Sequence, residues 1–409
     1  MIARHAAVRA PGLLALALLA GVSNSWMAAA GTAAPRTFPI VYLSEAYPGP
    51  RIMPSLLETQ PADEGLAGAR AGTAEINTTG RFLGWNFKLY VEILPAGAEV
   101  ATQTRRLFAR GPLIIVADLR AADLLKLADA PAAKGSLIFD MRTTDDSLRQ
   151  KDCRSSVFHV LPNQAMRADA LGQFLVEKRW TRWFLLQGPT PQDAVYAADV
   201  RRSASRYGAR IVAARSYDYN PGSRRSDTGY QQIQTQMPLA TQIGSDYDVL
   251  FVADETDLFG DYLPYNTFAA RPVVGTQGLI AAAWTAAFQS YSALQMQHRF
   301  ELFAHRQMTE RDYGGWLAVN IVGDAVMRGR TVSPAGIRAY LRSDRFLIAG
   351  FKGQGLTFRS WDQQLRQPVL IAQPLMIVSM SPQSGFLHPG NTTDTLGFDQ
   401  PETQCRLAH

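Results

Sequence analysis

The chain has little of what the common enzyme classes need. Only two cysteines occur in 409 residues, Cys153 and Cys405. With His159, His298, His305, His388 and His409 they make no zinc-ligand spacing. No Gly-Lys dipeptide occurs, which excludes a Walker loop, and neither Gly-x-Ser-x-Gly nor His-Glu-x-x-His is present. Gly353-Gln354-Gly355 lacks the third glycine of a dinucleotide loop and reads as a turn. Beyond the first residues no apolar run is long enough to cross a bilayer. The formal charge of +6 is scattered, with isolated pairs such as Arg105-Arg106, Arg201-Arg202 and Arg224-Arg225. That excludes a nucleic-acid stripe. The expectation is a protein that is not an enzyme and carries no cofactor, metal or nucleic acid.

The first 34 residues read as a secretory signal. Arg4, His5 and Arg9 precede an apolar run from Pro11 to Val22, and small residues from Ala28 to Ala34 follow. An uncleaved anchor is the alternative, but it would need about 20 apolar residues. Export favours a Cys153–Cys405 disulfide, and two free thiols are the alternative.

From Phe38 onward, short apolar runs alternate with helical patterns, which implies parallel sheets with crossover helices. Strands are expected at Phe38–Tyr42, Lys88–Leu94, Leu113–Val116 and Ser136–Phe139, then at Val157–Leu161, Trp183–Leu186, Ala209–Ala214 and Val249–Val252. Thr59 and Pro61 suggest a helix from Pro61 to Ile76. Others are expected at 101–109, 121–128, 163–178, 193–206, 229–237, 257–262, 281–306, 313–328 and 334–341. Late strands are expected at 346–358 and 365–378. The polar stretch Arg142–Ser156 reads as the first crossing between two lobes. The domain reading is therefore 1–34 signal, 35–152 plus about 278–343 first lobe, 153–277 plus about 344–380 second lobe, and 381–409 tail.

His159, inside Val157-Phe158-His159-Val160-Leu161, reads as a buried structural histidine. The acidic run Asp246, Asp248, Asp254, Glu255, Asp257 and Asp261 reads as helix caps rather than a cation site. In open parallel sheets, ligands bind beyond the carboxyl ends of the strands. The candidate ligand-binding residues are Ser44, Glu45, Asp118, Arg142 and Thr143 in the first lobe. In the second they are Gln187, Tyr217, Asp254, Glu255 and Thr276. Arg142 suits a forked contact to a carboxylate.

This organisation resembles the type I periplasmic solute-binding proteins of ABC transporters, including branched-chain amino acid binders. Particular strings resemble a subfamily associated with pyrroloquinoline quinone-dependent alcohol dehydrogenase systems. They are Asp63-Glu64-Gly65-Leu66-Ala67-Gly68-Ala69-Arg70, Asn77-Thr78-Thr79-Gly80-Arg81-Phe82, Asp246 through Glu255, Phe351-Lys352-Gly353-Gln354, Trp361-Asp362 with Gln364 through Pro368, and Gly385-Phe386-Leu387-His388. The resemblance implies a two-lobed α/β fold, each lobe a parallel sheet flanked by helices, joined by a three-crossing hinge. It implies a periplasmic substrate-binding component with a small-molecule ligand, ABC membrane subunits as partners, and a link to quinone-dependent alcohol oxidation. The alternative is a periplasmic interaction or assembly protein of a dehydrogenase system without ligand capture. Amino acid binders of this type hold their ligand with hydroxyl-rich loops. Here the matching segment reads Ala117-Asp118-Leu119-Arg120, which counts against a branched-chain amino acid.

Overall fold

The computed structural model describes residues 35–47, 60–217 and 233–407. The segment read as a signal, Thr59, and the start of the helix expected at Gly229 lie outside the described residues.

The first sheet comprises β1 (Arg36–Glu45), β2 (Trp85–Leu94), β3 (Ile114–Asp118), β4 (Leu137–Asp140) and β5 (Val157–His159), in the order β2-β1-β3-β4-β5. All its pairings are parallel. The second sheet is built on β6 (Arg182–Gln187), β7 (Arg210–Ser216), β8 (Val249–Ala253), β9 (Val273–Gly275) and β10 (Leu279–Ala282), also parallel. A small antiparallel sheet follows, with β11 (Ile348–Ala349), β12 (Gly355–Phe358) and β13 (Leu365–Arg366). The hairpin β14 (Val369–Gln373) and β15 (Met376–Ser381) then extends the second sheet antiparallel, giving β15-β14-β10-β9-β8-β6-β7.

Alternating side chains of each strand enter separate cores. In β1, Phe38, Ile40 and Tyr42 face one core and Val41 and Leu43 the other. In β6, Trp183 and Leu185 oppose Phe184 and Leu186 in the same way. Helices cover both faces, so the strands read as unbroken apolar runs. Burying each such side chain contributes about 1.5–3 kcal/mol. Over the first sheet lie α1 (Leu66–Gly80), α2 (Val100–Gln103) and α3 (Ala121–Asp129). The second sheet carries α4 (Gln164–Glu177), α5 (Pro191–Tyr207) and α6 (Ile233–Ala240). Helices α7 (Ala293–Ala304), α8 (Glu310–Met327) and α9 (Pro334–Leu341) return to the first. Helix α1 packs so closely on α8 that a Cβ on Gly68 would come within 1.8 Å of the Asp312 carbonyl oxygen.

Several expectations shift. Val157–His159 joins the first sheet beside β4, so the chain crosses after β5 and not within 142–156. Arg142–Ser156 instead runs from the end of β4 back to the start of β5. The helix expected at 281–306 is shortened to α7, because residues 279–282 pair with β9 and β14. Alanines 281–283 fit that buried crossing, where helix propensity yields to pairing. Helix α1 starts at Leu66 and not at Pro61: Gly65 has φ 80° and breaks the turn. The helix expected at 257–262 is a single 3-10 turn, Gly260–Tyr262. The strands expected at 346–358 and 365–378 break into β11 to β15.

The chain passes between the sheets three times: after β5, after β10 and before β14. Buried charge fixes the first and the third of these crossings. Arg149, fully buried, donates to the Gln364 side chain (3.0 Å), the Thr143 hydroxyl (2.9 Å) and the carbonyls of Thr143 (2.7 Å), Asp145 (3.0 Å) and Leu161 (3.3 Å). His159 is buried, as expected, with Nδ1 2.8 Å from Asp140. Asp140 also accepts from the Arg142 and Thr143 backbone amides and the Thr143 hydroxyl. The tail packs on α4 and α5, where Tyr207 donates to the Thr395 carbonyl (2.6 Å) and Arg206 to that of Gly397 (2.7 Å). It ends against the loop before β5, where Gln404 N–H donates to Gln150 (2.7 Å) and Cys405 is bonded to Cys153.

Candidate functional site

A cleft of about 990 Å³ opens between the carboxyl ends of the two sheets. The first lobe lines it with the ends of β1, β2 and β3, the segment before α1, Arg142 after β4, and Arg311 of α8. The second contributes Thr190, which caps α5, and the loop Glu255–Leu258 after β8.

At the floor of the first lobe, Asp118 accepts from the Tyr42 hydroxyl (2.8 Å) and from Arg142 Nη1 (3.0 Å). Burial, with Asp118 next to it, holds the Tyr42 phenol protonated. Gly65 lies directly on this trio. A Cβ there would come within 2.9 Å of the Met141 methyl and 3.2 Å of both Asp118 Oδ2 and Tyr42 Oη. Above it, the Tyr47 hydroxyl accepts from Arg120 N–H (2.9 Å) and donates to Asp123 (3.1 Å). It thereby bridges the backbone N–H of Arg120, the residue that precedes α3, to the carboxylate of Asp123 in the first turn. Burial pushes the Tyr47 phenol up to about 12. The Arg120 and Arg142 guanidiniums sit 4.1 and 4.8 Å from the Tyr47 ring centroid. Glu64 pairs with Arg311 (3.1 Å) and accepts from Gln60 (2.7 Å). Glu45 accepts from Gly97 N–H (2.7 Å).

Across the cleft, Asp254 accepts backbone N–H from Leu258 (3.1 Å), Phe259 (2.8 Å) and Gly260 (2.7 Å). The loop is thus presented by Asp254, which does not itself line the cleft. Glu255 does line it. Burial pushes its carboxyl up, against the pull of the Arg167 guanidinium. Asp257 accepts from Gln277 (2.6 Å).

Of the expected ligand residues, the structure brings Ser44, Glu45, Asp118, Arg142 and Glu255 to the cleft. Thr143 is turned inward to Asp140 and Arg149. Thr276 accepts from Asp254 N–H (3.0 Å), and the Gln187 carbonyl accepts from Tyr217 N–H (2.8 Å). The Tyr217 hydroxyl donates to Gln236 (2.6 Å), and its ring packs on Phe259. These residues support the loops and do not form the cleft wall. Asp246 and Asp248 pair with Arg182 and Arg271. Among the described residues no histidine, cysteine and carboxylate group converges as a metal site. The sequence reading missed Tyr42, Tyr47, Arg120, Thr190, Thr256, Asp257, Glu64 and Arg311. Tyr47 and Arg120 follow the same strands as Ser44 and Asp118, so the same rule could have found them. Arg311 comes from a distant helix and carried no signal.

The model of the periplasmic binding protein family matches residues 59–240. Solved structures match over nearly the whole chain. A branched-chain amino acid ABC transporter periplasmic ligand-binding protein from Burkholderia xenovorans is 14% identical, covers 90% of this chain and 99% of its own, and has a TM-score of 0.67. The fold is that of the type I periplasmic binding proteins. A leucine-, isoleucine-, valine-, threonine- and alanine-binding protein from Brucella ovis, in its closed conformation, shares it at 14% identity. It covers 91% of this chain and 100% of its own, with a TM-score of 0.61. An ABC transporter solute-binding protein from Rhodopseudomonas palustris in complex with 3,4-dihydroxybenzoic acid is also similar, at 12% identity, covering 84% and 97%, with a TM-score of 0.60. No curated protein sequence matches. In this fold the cleft described above is the gap between the lobes, and the three crossings are its hinge.

Proposed function

We propose that the protein is a periplasmic solute-binding component of an ABC-type importer, closing its two lobes on a small molecule and presenting it to the membrane subunits. The cleft between the strand ends, with charged and hydroxyl groups from both lobes, carries this reading. Contacts made to both lobes favour the closed state over the open one, and only such differential contacts shift that equilibrium. The link to quinone-dependent alcohol oxidation rests on the sequence strings given above.

A thermal-shift screen of amino acids, alcohols, aldehydes, carboxylates, quinone cofactor and metal ions tests the reading. A solute present at a hundredfold its Kd raises stability by about 2.7 kcal/mol. A flat response to the whole panel, with no binding heat, would overturn it.

A further inference from the structure

The hydrogen-bond partners of the cleft carboxylates and guanidiniums are unequal. Each carboxylate already has a donor or a cation. Asp118 holds Tyr42 and Arg142, Glu64 holds Gln60 and Arg311, and Glu45 accepts from Gly97. Asp257 accepts from Gln277, and Glu255 faces Arg167. Besides Arg311, which gives Glu64 one terminal nitrogen, two guanidiniums keep donors in reserve. Arg142 gives Asp118 one terminal nitrogen, and its side chain stays 20% exposed. Arg120 pairs with no carboxylate among the described residues; its guanidinium only lies against the Tyr47 ring.

These two cations converge on one aromatic ring at the cleft wall. The ring cannot turn away, because its hydroxyl is pinned between Arg120 N–H and Asp123. Like charges brought to one ring repel, and an anion bound to both relieves the repulsion. Planar guanidinium forks match a carboxylate in geometry as well as charge. An ammonium group would instead have to share carboxylates that each already hold a donor or a cation.

We propose that the captured solute is an organic acid without an ammonium group, its carboxylate held by Arg120 and Arg142 against Tyr47. This rests on the solute-binding reading and narrows it. The apolar remainder of the solute lies against Leu66, Ile93 and Leu258, which line the same cleft.

The test is calorimetric titration of the full mature chain with matched probes. Benzoate, 3,4-dihydroxybenzoate and hexanoate are the acids, benzyl alcohol and hexan-1-ol the uncharged counterparts, and leucine and phenylalanine the zwitterions. At least one acid binds while its alcohol and both zwitterions do not. Arg120→Gln and Arg142→Gln each weaken that acid roughly ten- to a hundredfold, as expected for a hydrogen bond to a charged group. Arg120 is exposed, so Arg120→Gln keeps the test valid even where Arg142→Gln, which strips Asp118 of its cation, fails to fold. Binding of leucine or an alcohol that both variants leave unchanged overturns the proposal while leaving solute capture intact. If no probe binds, native mass spectrometry of protein taken from periplasm separates the two failures. A neutral or cationic passenger overturns only the acid assignment, and an empty cleft overturns capture as well.

Discussion

The cleft and the hinge use the same pair of residue types to opposite ends. At the hinge, Arg149 is fully buried and makes five hydrogen bonds, with Asp140 and His159 alongside. In the cleft, Arg142 makes one bond to Asp118 and Arg120 makes none to a carboxylate among the described residues. A guanidinium with every donor occupied fixes the route of the chain. One with donors in reserve can meet a newcomer. Chemical type therefore says little about role here, and occupancy of the donors says most.

The hardest blow to that contrast is Arg149→Ala. Removing one member of a buried charged set leaves the others uncompensated and costs about 3–5 kcal/mol. Urea unfolding should show it as a lower midpoint with an unchanged slope. A cost under 1 kcal/mol would mean the hinge charges do not hold the crossings.

A smaller effect concerns two acids that meet where the lobes join. Asp146 follows β4 and Asp199 lies on α5. Burial and the facing carboxyl of Asp146 push Asp199 well up, and burial also raises Asp146. The folded chain therefore keeps a proton that the unfolded chain releases above the ordinary carboxylate range of about 4. Stability from this pair is present at low pH and declines as pH rises. Asp199→Asn replaces the shared proton with a permanent donor. It should gain about 1 kcal/mol at pH 8, with no gain at pH 4, in parallel denaturant titrations. An equal gain at both pH values would point to packing instead.

The smallest expected change sharpens the comparison from the other side. Arg120→Gln should leave the unfolding free energy of the ligand-free protein unaltered, within about 0.5 kcal/mol, in a urea titration, whatever it does to binding. A large loss would place Arg120 among the structural arginines.

The strands were legible because both faces of each sheet are covered. Leu113-Ile114-Ile115-Val116 and Val249-Leu250-Phe251-Val252 allow no other reading once cut to strand length. The chain's route between lobes was not legible. Val157-Phe158-His159 looks like any buried strand, and only its pairing with β4 assigns it to the first sheet. The alanines at 281–283 favour a helix locally and are overruled by β9 and β14. The site was half legible. The strand-end rule located Asp118, Arg142 and Glu255, but could not tell a carboxylate facing solvent from one turned onto backbone, as Asp254 is. The Tyr47 hydroxyl bridging Arg120 N–H to Asp123 at the start of α3 had no local signature at all.

The bond between Cys153 and Cys405 spans 252 positions in sequence. Every residue of the second sheet, and α7 through α9 of the first lobe, lies inside the covalent ring it closes. One peptide cut anywhere within that ring would leave a single molecule by mass, which would separate into two pieces only once a thiol reductant was added.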